Sequence, residues 1–167
     1  MTVDDVCDRL VEVFRGPRDW VNRPGALRDR LGEAEGVEDC VSRGLRQALD
    51  DRDWDMFESY VFAGLQFPSP DHVEPLCTAL LLQDDDAPND DVVELLFDLA
   101  DPRSISCLEE TLRWEPDWDE YRHLAVKAIL ALANIGTPHA IEVLRDVSSV
   151  GPARLREVAS SQLERLS

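Results

Sequence analysis

The stretch LAVKAILALANIGTPHAIEVL, residues 124–144, holds the architecture of this chain in miniature. Leu124, Ala128, Ala131, Leu132 and Ile135 recur at helical spacing, which puts small and branched apolar side chains on one face. Gly136 follows as a stop that tolerates left-handed backbone, and Thr137-Pro138 then supplies an N-cap and a first-turn proline. Ile141 and Leu144 continue on one face of the next helix. One helix ends and another begins with almost no linker between them, the mark of helices packed as neighbours.

The same proline-led entry occurs three times, as Pro70–Val73–Leu76, Pro102–Ile105–Leu108 and Pro138–Ile141–Leu144. A fixed inner spacing recurring at intervals of roughly 30–40 residues predicts stacked helical pairs. Apolar stripes precede each proline: Met56, Tyr60, Ala63 and Phe67 before Pro70, and Val92, Leu95, Leu96 and Leu99 before Pro102. Leu155, Ala159, Leu163 and Leu166 close the chain, while Val37 and Cys40 occupy the first-helix positions of a degenerate first pair. The expectation is an all-α fold in a single domain, an α-solenoid of four helical pairs over residues 36–67, 70–99, 102–135 and 138–166. Residues 1–35 form an N-terminal cap, with an amphipathic helix over 3–15 and a short helix over 25–33. No alternating pattern predicts a strand.

Residues 124–144, together with Leu155-Arg156-Glu157-Val158-Ala159, resemble a HEAT repeat of the short, phycobilisome-lyase-like bacterial type. The resemblance covers residues 36–166. It departs from the family pattern at Ala125, where arginine is usual, and at Gly64, where an apolar residue is usual. It implies a partner-binding superhelix, and it does not carry over lyase activity, because fold alone does not fix function.

Thirty-five acidic residues against seventeen basic ones give a net charge of −18. The imbalance is local, with −13 in residues 36–100 and zero in residues 139–167. Such a field repels phosphate backbones and accelerates encounter with a basic protein. The expected partner is therefore a basic protein, with no nucleic acid and no membrane. Only one base is lysine, Lys127, an arginine bias that fits a GC-rich bacterial genome. The acidic N-terminus lacks a basic segment followed by an apolar one, which predicts a cytoplasmic address. Cys7, Cys40, Cys77 and Cys107 form no CxxC pair and read as small buried hydrophobes in a reducing compartment.

Catalytic and cofactor signatures are absent: there is no HExxH, no glycine-rich phosphate loop and no GxSxG. The expectation is a protein that is no enzyme and holds no cofactor or metal. His72 and His139 read as solvent-facing residues of helix entries, and Tyr121-Arg122-His123 as a surface trio. The acidic run at 84–91 lacks the glycine and terminal glutamate of a calcium loop.

The informative constellation lies in the turns inside the pairs, which a solenoid stacks along one edge. Residues 50–55, 84–91 and 114–120 together hold thirteen acids and three of the four tryptophans. Acids at helix starts serve as caps, but capping needs one or two per helix, fewer than these turns carry. The partner-binding residues expected here are Trp54, Asp55, Asp90, Asp91, Trp114, Trp118, Asp119 and Glu120. The function expected is a protein–protein interaction module, in its specific form an immunity protein that neutralises a basic toxin domain. A scaffold or assembly factor, and a HEAT-scaffold enzyme such as a chromophore lyase, are the alternatives.

Overall fold

The structure, a computed structural model, describes residues 2–32 and 34–167. These residues are all-helical, with no strand among them. Ten α-helices follow in order: α1 (Val3–Arg15), α2 (Ala26–Leu31), α3 (Val37–Asp51), α4 (Trp54–Gln66), α5 (Val73–Leu81), α6 (Asn89–Leu99), α7 (Ile105–Arg113), α8 (His123–Ile135), α9 (Pro138–Val150) and α10 (Ala153–Leu166). Short 3-10 turns at Pro70–His72 and Pro102–Ser104 lead into α5 and α7.

The helix starts show why the prolines recur. The residue before each one caps the turn: Ser69 accepts from the Asp71 amide, Asp101 from Arg103, and Thr137 from Ala140. Proline in the next position has no N–H to leave unpaired. At Pro70 and Pro102 the entry is one 3-10 turn before the α-helix proper, and only Pro138 starts an α-helix directly. Arg103 also folds back onto Asp101, and its guanidinium holds that carboxyl below the usual range. At the other end of α8, Gly136 takes φ 64° and its N–H bonds Leu132, as the sequence predicts.

Contacts divide the chain into two compact units, Met1–Pro75 and Leu76–Ser167. In the first, α3 packs on α4, α1 on α3, and α2 on both α1 and α4. Its core is aromatic. Phe14 stacks on Trp20 at 5.2 Å and receives the edge of Tyr60 at 4.9 Å. Trp20 is fully buried although it lies outside any helix. The Gln66 side chain anchors that irregular segment, donating to the Trp20 carbonyl and accepting from the Leu27 amide, each at 3.1 Å. In the second unit α6 packs on α8, α8 on α7, α9 and α10, and α9 on α10 and α7. From α7 onward each helix packs on the next, and α6–α8, α7–α9 and α8–α10 also touch. Most of the stripes read from the sequence lie at the centre of that packing: Leu124, Ala128, Ala131 and Leu132 are buried, as are Val92, Leu95 and Leu96, while Ile135 and Leu99 at the helix ends are half-buried.

Two readings of the sequence need correction. The cysteines are not separate thiols. Cys7 bonds Cys40, joining α1 to α3, and Cys77 bonds Cys107, joining α5 to α7. Each bridge spans a separation of 33 or 30 residues, close to the spacing of the recurring prolines.

His72 does not face solvent either. It is fully buried and its Nε2–H donates to the Glu38 carbonyl at 3.3 Å. Ser104 and Ala140, two residues after Pro102 and Pro138, are fully buried too. The second position after the proline therefore points inward wherever the motif occurs, whereas the first position, held by Asp71, Arg103 and His139, is exposed.

Burial holds the His72 imidazole below the usual histidine range, against the opposing influence of the Glu38 carbonyl bond and the Asp71 and Glu38 charges. The unfolded chain then binds a proton that the folded chain refuses. The contribution is intact above the free-histidine value of about 6.5 and is lost as pH falls below it towards the depressed folded value. Thermal melts between pH 7.5 and 5.5 are expected to show a steeper loss of stability for the native protein than for His72→Leu. Parallel curves for the two would count against this role.

Candidate functional site

The turns between α5 and α6 and between α7 and α8 are built by a few specific bonds. In the α5–α6 turn, Asn89 is buried and its Nδ2 donates to the carbonyls of Asp84 at 2.8 Å and Ala87 at 3.1 Å. Asp84 in turn accepts from the Asp86 amide at 2.9 Å. This fixes the loop and leaves Asp85, Asp86 and Asp90 exposed. Asp90 meets Lys127 of α8 at 3.6 Å, and Asp91 sits half-buried beside it in the first turn of α6.

The α7–α8 turn is longer and is closed by Arg122. That residue adopts the left-handed conformation at φ 58°. Its guanidinium donates to Glu115 at 2.6 Å and to the Leu112 carbonyl at 2.8 Å, so it folds into the loop and is no surface group. Tyr121 before it and His123 after it are exposed. Arginine at the N-cap has no oxygen to offer the helix, and Asp119 supplies one from the preceding turn. Its Oδ1 accepts from the His123 amide at 2.7 Å and its Oδ2 from Leu124 at 2.9 Å. Asp119 is buried and both its oxygens are engaged, so of the acids read as contact residues it is the one turned inward. Asp119→Ala leaves two amides at the positive end of α8 without an acceptor. A loss of about 1–2 kcal/mol is expected, read as an earlier chemical-denaturation midpoint. An unchanged midpoint would show that other groups cap α8.

The two turns meet through Trp118. Its indole N–H donates to Asp85 Oδ1 at 3.0 Å, and its ring stands edge-on to half-buried Trp114 with centroids 6.0 Å apart. Trp118 is nonetheless 46% exposed, and Tyr121 beside it 59%. Glu120 and Asp117 point outward next to them. In the second unit the structure thus brings Asp90, Asp91, Trp114, Trp118 and Glu120 onto one pair of turns, with Asp85 and Tyr121 added. Asp85 was one of five acids in an undifferentiated run, and only the pairing with Trp118 distinguishes it.

Trp54 and Asp55 belong to the first unit. Trp54 opens α4 behind the Asp53 cap, half-buried, with its ring edge-on to Phe57 at 5.6 Å and the Arg52 guanidinium 5.8 Å from its face. Asp55 is exposed in the first helical turn.

A cleft of about 420 Å³ adjoins the α7–α8 turn, lined by Leu112, Val143, Val147 and Leu155 together with Glu115, Arg122 and Asp146. No group of three or more His, Cys, Asp or Glu side chains among the described residues is placed to hold a metal ion. No helix there is long and apolar enough to cross a membrane. No protein-family model matches the chain, and no curated protein is significantly similar to it.

Proposed function

We propose that this protein is a short HEAT-like α-solenoid that binds a basic protein partner through its acidic, tryptophan-bearing turns, and that it acts as a bacterial immunity protein against a basic toxin domain. The observation that carries this reading is Trp118. A half-exposed indole held in place by a carboxylate is a rigid amphipathic anchor, and the exposed acids around it supply the complementary charge. The packing of α3 on α4, α7 on α8 and α9 on α10, with the contacts of α6 on α8 and α8 on α10, supports a repeat architecture. For the compartment, the two cysteine bridges favour an oxidising one over the cytoplasm expected from the N-terminal sequence.

Affinity capture from the native host at low salt is expected to recover one dominant basic protein. Titration of that protein against Trp118→Ala is expected to show a loss of about 30-fold or more, as for an interface hot spot. Asp85→Lys with Glu120→Lys is expected to slow association and flatten its salt dependence. Recovery of only acidic proteins, or equal affinity for Trp118→Ala, would refute the proposal.

A further inference from the structure

A second feature of the Leu76–Ser167 unit lies away from the turns, on the layer formed by α6, α8 and α10. Two clefts there share Phe97 and Leu130 and so run into one another. The first, about 280 Å³, lies between α6 and α8 over Val93, Phe97 and Leu130. The second, about 460 Å³, continues to Leu166 of α10. Phe97 is 38% exposed and Leu166 46%, whereas Val92, Val93, Leu95 and Leu96 of α6 are fully buried. The floor is firm: the Asn134 side chain donates to the Phe97 carbonyl at 2.8 Å and ties the end of α6 to α8.

The walls are charged unequally. Asp90, Glu94 and Asp98 stand at four-residue steps and form one acidic line along α6. Lys127, the cation facing that line, is paired with Asp90 at 3.6 Å. Glu94 and Asp98 remain exposed beside Phe97. Arg165 stands at the opposite end, next to Leu166.

We infer that this groove receives a cationic amphipathic helix of the partner protein. Adjacent packed helices lie about 8–10 Å apart, so three of them offer a trough of roughly 20 Å. That length matches about three to four helical turns at 1.5 Å per residue. Apolar anchors at helical spacing fill the Phe97–Leu130–Leu166 floor. Lysines or arginines on one flank meet Glu94 and Asp98, and an acid near the far end meets Arg165. The charge pattern therefore fixes the direction in which the helix lies. The inference rests on the preceding proposal only for the partner's basic character, and it locates a contact surface distinct from Trp118.

A fluorescent 14-residue Leu/Lys amphipathic helix, with a charge-matched Ser/Lys peptide as control, tests it on the full-length protein. The Leu/Lys probe is expected to bind at least ten times more tightly than the Ser/Lys control. Phe97→Asp is expected to lower its affinity at least tenfold. Glu94→Lys with Asp98→Lys, both at exposed positions, is expected to do the same and to reduce the salt dependence. Trp118→Ala is expected to leave probe binding unchanged. Equal binding of the two peptides would assign the effect to bulk charge and overturn the inference, as would indifference to the α6 variants. Loss of the captured partner with Trp118→Ala but not with the α6 variants would retain the turn surface and discard the groove. Self-association of the native protein that Phe97→Asp abolishes would give the groove to a second copy of the chain and likewise overturn it.

Discussion

Replacing Cys7 and Cys40 together by alanine is expected to lower the stability of the Met1–Pro75 unit by about 3–4 kcal/mol. That is the chain-entropy value for cross-linking residues 33 apart. The melting temperature of this unit is expected to fall by roughly 12–30 °C. The bridge ties α1, a helix of 13 residues, to α3. An isolated helix of that length is marginal in water, so α1 depends on its docking through Val6, Leu10 and Phe14 and on the covalent link. Melts with and without dithiothreitol, alongside the double variant, measure the effect. Thiol titration of the denatured, unreduced protein checks the premise. Four titratable thiols, or melts that ignore the reductant, would be incompatible with the bridges as described.

Gly44→Ala is expected to destabilise the same unit by about 3 kcal/mol, against the sign that helix propensity predicts. Gly44 lies inside α3, where alanine is ordinarily favoured by about 1 kcal/mol. A Cβ at this position would overlap three carbons of the Tyr60 ring. The ring of Tyr60 rests directly on the helix backbone. The ring is buried against Phe14, and Phe14 is stacked on Trp20, so displacing it disturbs the aromatic core. Overpacking costs about 1–3 kcal/mol and occasionally more, and expelling the ring approaches the cost of truncating an aromatic, about 3–5 kcal/mol. Denaturant unfolding reads the loss. Tyr60→Leu removes the clashing atoms, so Gly44→Ala is expected to cost far less in that background. A Gly44→Ala protein as stable as the original would mean that the ring has room the geometry denies it.

The helices were legible because their signals are local. The proline-led entries, the Gly136 stop and the apolar stripes each act within one or two turns, and each lies where the sequence places it. The missed features depend on residues 30 or more positions away. Cys7 and Cys40, like Cys77 and Cys107, are separated by roughly the interval between the recurring prolines. That near-coincidence was the available clue to their pairing, but it is a statement about packing and leaves no mark on local composition. His72 was misread for a related reason: the inward direction of its position emerges only when Ser104 and Ala140 are compared with it. In the site, the exposed tryptophan and the surplus of acids were visible in composition. The division of labour among the acids was not. Asp119 and Glu120 are neighbours of like chemistry, yet one is buried as a cap and the other faces outward. Arg122 decides between them by occupying the capping position itself.

The two sulfur bridges also set how far this chain extends under load. Each one short-circuits a loop, of 33 residues between Cys7 and Cys40 and of 30 between Cys77 and Cys107. A pulling force applied at the termini bypasses both loops, and each withholds roughly 10 nm of contour length. The oxidised molecule is thus a tether with two locked reserves, released in turn when a reductant reaches each lock.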